Sequence, residues 1–198
     1  MRRRIASTSA AIAVAALALA LAGCASSGDG SSHEGHGTGS SAESSSGASA
    51  ADVMFASAMI PHHEQAVEMA DIVLAKPGLD PRVVELATRI RDAQAPEIAT
   101  MEGWLEAWGA DAESHAGMEH GDDGMLSDDE LAALEAADGA EASRLFLEGM
   151  IAHHEGAVAM AEQQLADGTD PDALALAESI VATQQAEIDE MQALLDEG

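Results

Sequence analysis

Two stretches decide how this 198-residue chain is read: FASAMIPHHEQAVEMA at Phe55–Ala70 and FLEGMIAHHEGAVAMA at Phe146–Ala161. They are 91 residues apart and repeat the same His-His pair, with methionines at the same offsets on either side. In the first, Phe55, Met59, His62, Ala66, Met69 and Val73 recur in steps of four and three. A parallel row runs Ala56, Ile60, His63, Val67, Ala70, Leu74. Two adjacent rows of that period make the broad apolar stripe of a bundle helix. Glu64, Gln65, Glu68 and Asp71 fall outside the stripe, as does Pro61, where loss of one backbone donor is tolerable.

The repetition extends outward. DPRVVELATRIRDAQAPEIATM (Asp80–Met101) aligns with DPDALALAESIVATQQAEIDEM (Asp170–Met191). Each half is therefore a helical hairpin. KPGLDP and DGTDP supply the breaks, with Asp80 predicted as an N-cap and Pro81 at the first helical position. The second helices carry Val83, Ala87, Ile90, Gln94, Glu97, Met101 and, in the repeat, Ala173, Ala177, Ile180, Gln184, Glu187, Met191. The expected fold is all-α: an antiparallel four-helix bundle, ferritin-like, built from two repeated hairpins. Between the hairpins lies a polar loop, then SDDELAALEAADG, a short helix with Ser127 and Glu130 as a capping box.

The N-terminus reads differently. Arg2, Arg3 and Arg4 precede an apolar run from Ile12 to Ala22, ending in LAGC at Cys24. This is the form of a secretory signal, too short for a spanning helix. Leu21-Ala22-Gly23-Cys24 looks like a bacterial lipobox, which would place a lipid on Cys24 and the mature chain on the outer face of the cell membrane. Cys24 is the chain's single cysteine, so neither an intrachain disulfide nor a thiolate metal site is available to the domain. The expected organisation is a signal at 1–23, a Ser/Gly-rich tether at 24–51 containing His33 and His36, and a helical domain at 52–198. Within that domain, repeat 1 covers 52–108, the loop and short helix 109–139, and repeat 2 140–198. All 36 acidic residues follow Cys24 against five basic ones, a net charge of about −31 for the mature chain. Such a field repels nucleic acid and attracts cations; no protein partner is indicated.

Placing each hairpin about its turn brings His62, His63, Gln94, His153, His154 and Gln184 to one level, with Glu97 and Glu187 a turn away. Met59, Met101, Met150 and Met191 are expected above that layer, and Met69 and Met160 below it. Buried imidazoles must be paired or ligated. One reading is a His–Gln–Glu layer that sets helix register, with Met as core filler. The other is a soft-metal centre, because thioether with imidazole suits Cu(I) or Ag(I). The Glu-x-x-His motif of di-iron bundles is missing, since Met59 stands three residues before His62 and Ile60 three before His63. His115, Met118 and His120 in the inter-repeat loop form a candidate accessory site. A metal-dependent oxidoreductase is a third reading, but no nucleophile–base constellation supports catalysis.

The twin M-I-x-H-H-x-x-A-V-x-M-A blocks, the D-P helix starts and the Q-x-x-E-I-x-x-M helices resemble domain-of-unknown-function family 305, over roughly Asp52–Leu195. The resemblance implies an exported or lipid-anchored protein with a ferritin-like four-helix fold and no established catalytic activity. Some members are linked to copper or silver binding and tolerance. It carries over Met59, His62, His63 and Met69; Met150, His153, His154 and Met160; and Glu97, Met101, Glu187 and Met191 as candidate metal residues, with a copper ion as the possible cofactor.

Overall fold

A computed structural model describes residues 47–110 and 124–197. The signal, Cys24, the tether up to residue 46 and the loop bearing His115, Met118 and His120 lie outside the described residues. Five helices follow in order: α1 (Ala50–Leu74), α2 (Pro81–Trp108), α3 (Asp128–Ala136), α4 (Gly139–Asp167) and α5 (Pro171–Glu197). α1 and α2 form one hairpin, α4 and α5 the other, and α1 packs along α4. No helix among the described residues is long and apolar enough to cross a membrane.

The helix starts follow the predicted chemistry. Asp80 accepts from the Arg82 amide at 2.8 Å, with Pro81 opening α2. Asp170 accepts from the Asp172 and Ala173 amides at 3.0 Å ahead of Pro171. Ser127 and Glu130 form the capping box of α3. Gly109 closes α2 in the left-handed region at φ 66°, where a side chain would be strained. α1 opens at Ala50, two residues before the expected domain boundary, because Ser49 is its N-cap and Asp52 completes a second capping box. Pro61 lies inside α1 and is exposed, on the outer side as expected.

Asp52 does more than cap. It is fully buried and ties the start of α1 to the α4–α5 turn: Oδ1 accepts from Gln164 Nε2 at 2.6 Å and from the Thr169 amide at 3.0 Å. Its Oδ2 accepts from the Thr169 hydroxyl at 3.0 Å and the Ser49 amide at 2.6 Å. Burial raises the carboxyl pKa, but the hydrogen bonds from Ser49, Gln164 and Thr169 outweigh it and hold the group well below the usual carboxylate range.

Two apolar clusters form the core. One gathers Ala66, Met69 and Val73 of α1 with Leu86 and Ile90 of α2, Phe146 and Met150 of α4, and Met191 of α5. The other gathers Phe55 and Met59 of α1 with Met101 and Leu105 of α2, Ala157 and Ala161 of α4, and Ala177 and Ile180 of α5. The C-terminal half of α1 thus meets the N-terminal half of α4, and the start of α2 meets the end of α5. The hairpins pack head to tail about a pseudo-twofold axis across the bundle. That arrangement corrects the expected methionine levels. Equivalent residues of the two repeats fall on opposite sides, so Met69 joins Met150 and Met191, while Met59 and Met101 join the half-buried Met160.

The inter-repeat chain re-enters across α1 and α4. Gln65 donates from Nε2 to the Leu126 carbonyl at 2.9 Å and accepts the Leu126 amide at 2.7 Å. Gln65 was expected outside the stripe; it is buried because this strap covers it. At Gly124 (φ +76°) a Cβ would stand 2.0 Å from the Ala152 carbonyl oxygen, so the strap lies directly on the α4 backbone. α3 then continues over α1 and α4, with Leu134 fully buried.

Candidate metal centre

His62 and His63 sit at mid-length on α1, and His153 and His154 at mid-length on α4, between the two apolar clusters. All four rings are buried, together with Gln94 of α2 and Gln184 of α5. The expected layer therefore forms. The ring centroids of His62 and His153 are 3.7 Å apart, tilted at 39°, and those of His153 and His154 are 6.4 Å apart. Since His62 and His153 are equivalent positions of the two repeats, the pseudo-twofold axis passes between their rings.

The outer pair of imidazoles is anchored. His63 Nε2 lies 2.8 Å from Glu97 Oε2, and His154 Nε2 lies 2.8 Å from Glu187 Oε2. A carboxylate can only accept, so each ring donates from Nε2. In the neutral ring this leaves the lone pair on Nδ1. Both Nδ1 atoms are buried and make no hydrogen bond. Glu97 and Glu187 keep 23% and 16% of their side-chain surface. They stand between the histidines and solvent, the usual place of a carboxylate that orients a metal-binding imidazole from behind.

The centre of the layer is less well satisfied. The ring nitrogens of His153 make no well-formed hydrogen bond, only a marginal approach to the His62 main chain, and the Oε1 and Nε2 of Gln94 and the Oε1 of Gln184 make none. Burial, followed by the charges that His62, His154 and His63 would carry, lowers the His153 pKa to about 2; the nearby His62 main chain opposes this weakly. Burial thus favours the neutral ring, the state a metal ion requires of imidazole. A native core pairs nearly all its buried polar atoms. Orphaned nitrogens and amide oxygens concentrated at one level call for a partner, such as an ordered water or an ion.

Among the described residues no group of three or more His, Cys, Asp or Glu side chains is arranged to hold a metal ion. Tetrahedral Zn(II) sites and oxygen-rich sites for hard cations need such a set. A soft monovalent ion makes do with fewer ligands and accepts thioether sulfur. Of the expected residues, the fold brings together His62, His63, His153 and His154, with Glu97 and Glu187 behind them. It divides Met59, Met101 and Met160 from Met69, Met150 and Met191, three on each side of the layer.

Fold and site define a class: an internally duplicated, antiparallel four-helix protein with a buried histidine layer on its pseudo-twofold axis. The profile described as "Domain of unknown function (DUF305)" matches residues 52–195, and the chain belongs to that family. Among solved structures, a DUF305 protein of Streptomyces coelicolor is 37% identical. The match covers 74% of this chain and 93% of that one, with a TM-score of 0.68. A DUF305 fragment from Deinococcus radiodurans is 35% identical over 76% of this chain and 99% of that one, TM-score 0.69. CopM in its Cu(II)-bound form is 32% identical over 74% and 96%, TM-score 0.63. CopM has also been solved in Cu(I)- and Ag-bound forms. None of the curated proteins compared with the chain is detectably similar to it.

Proposed function

We propose that this chain is an extracytoplasmic metal-binding protein that takes up Cu(I), or Ag(I) in its place, at the histidine layer, and that Cys24 carries a lipid holding it to the membrane. The observation that carries this reading is His153: fully buried, disfavoured from protonating by that burial, and with no well-formed hydrogen bond at either ring nitrogen, only a marginal approach to the His62 main chain. His62 and His153, whose rings stand 3.7 Å apart, are the candidate nitrogen donors, a pair of imidazoles rather than a cluster of three or more. Met59 and Met150, one helical turn before His62 and His153, offer the nearest thioethers along the chain. The metal-bound forms of CopM support the same reading by kinship. Soft donors in a domain without cysteine suit an oxidising compartment, where thiolates would be lost. The role is buffering or tolerance rather than catalysis. The competing reading, a polar layer that only sets helix register, draws on the two His–Glu bonds, which satisfy half of the layer without any ion.

The soluble domain is titrated with silver nitrate, and with Cu(I) under reducing conditions. Binding should raise the melting temperature in step with free ion. H153Q, checked for retained helicity by circular dichroism, should lose most of that affinity. Equal affinity in both proteins would leave only the register-setting layer.

A further inference from the structure

The buried layer needs a way in, and the four sides of the bundle are not equivalent. α1 packs closely along α2, α4 along α5, and α1 along α4. The α1–α4 side is closed over by α3 and by the Gly124–Ser127 strap, through the Gln65–Leu126 bonds and the Gly124–Ala152 contact. α2 and α5 make almost no close backbone approach. Long side chains hold that seam together: Arg89 reaches Glu190 at 2.5 Å, and Arg82 pairs with Glu197. Both pairs lie toward the start of α2.

At the level of the histidines the seam opens into a cleft of about 390 Å³. Its polar lining is Asp92 and Glu97 from α2 and Ser179, Thr183, Gln184 and Glu187 from α5. Two of these residues reach inward. Glu97 and Glu187 hold the Nε2 atoms of His63 and His154. Gln184 is 3% exposed, and its Oε1 has no hydrogen bond.

We infer that the α2–α5 cleft is the port through which a cation enters and leaves the histidine layer. This rests on the metal-binding reading above. Asp92 is paired with Arg91 at 3.0 Å, which leaves Glu97 and Glu187 as the carboxylates that make the inner mouth negative, and a negative cleft with low-dielectric walls concentrates cations. The donors then soften with depth: solvent-facing carboxylates, next the amide oxygen of Gln184, then the buried imidazoles. A cation on that path exchanges water for carboxylate, carboxylate for amide, and amide for nitrogen, so it never crosses the seam wholly undressed. Glu97 and Glu187 are positioning residues for the two histidines as well as the last carboxylates on the path.

Ala93 and Thr183 line the cleft, are exposed, and are not among the proposed ligands. The double variant A93W/T183W plugs the mouth and leaves the layer intact. Ala132→Trp on α3, also exposed, places the same bulk on the opposite side. Stopped-flow mixing of each protein with Ag(I) and a competing colorimetric chelator reads the association rate, and equilibrium competition reads the affinity. The plugged variant should associate roughly tenfold or more slowly, while its affinity stays within about twofold of the unsubstituted chain. A132W should match the unsubstituted chain in both. An unchanged rate in the plugged variant, or equal slowing in A132W, overturns the port and leaves metal binding standing. Failure of the unsubstituted chain to bind Ag(I) overturns both.

Discussion

At the scale of single residues, the molecule places its costliest groups where several partners converge. Asp52 is one: a buried carboxylate that accepts from Ser49, Gln164, Thr169 and Asp170. Because its folded pKa is depressed, its contribution is complete above the unfolded value of about 3.9 and is lost as pH falls through the folded value. Asp52→Asn keeps the shape but turns one acceptor into a donor facing the Ser49 and Thr169 donors. It should cost about 2 kcal/mol at pH 7, read by denaturant unfolding. The gap between variant and unsubstituted chain should narrow as the pH is lowered below about 4. A constant gap across that range would mean that shape, not charge, sets the contribution. None of this was legible from the sequence beyond the domain start, because Gln164 and Thr169 lie more than a hundred residues away and nothing in their local pattern marks them.

At the scale of elements, the hairpins were readable and the strap was not. The helix starts at Asp80, Ser127 and Asp170 follow local capping rules, and local rules survive folding. Gln65 shows the limit. Its place on α1 is the outer face, and only the return of Leu126 across that face buries it. The strap in turn depends on Gly124, whose positive φ and contact with the Ala152 carbonyl leave no room for a methyl group. Gly124→Ala should therefore lift the strap, at a cost of roughly 2 kcal/mol. Hydrogen exchange at the Leu126 amide, held by Gln65, should accelerate, while amides at the centre of α2 and α5 keep their protection.

At the scale of the whole molecule, the histidine layer was legible because it sits near the middle of each hairpin. A level at mid-length is the same whichever way the second hairpin is turned. The methionines, off-centre by a turn or more, do depend on that choice, and spacing along one chain carries no record of it. The structure shows the head-to-tail arrangement, which divides the thioethers evenly across the layer. The α2–α5 cleft was hidden for a related reason. Which pair of helices is left apart follows from how the two hairpins meet, although the small or hydroxylated residues Ala93 and Thr183, each next to a buried Gln, mark its walls in hindsight.

The axis between the His62 and His153 rings also bears on counting. On the metal-binding reading, two separate hairpins would offer two ions two addresses, whereas equivalent rings in contact, with centroids 3.7 Å apart, leave room for only one. Calorimetry should therefore return a stoichiometry of one ion per chain at the tight site. H62A and H153A should weaken that site to a similar degree, since neither half owns it; a value of two, or a loss confined to one repeat, would mean that the halves act as independent vessels.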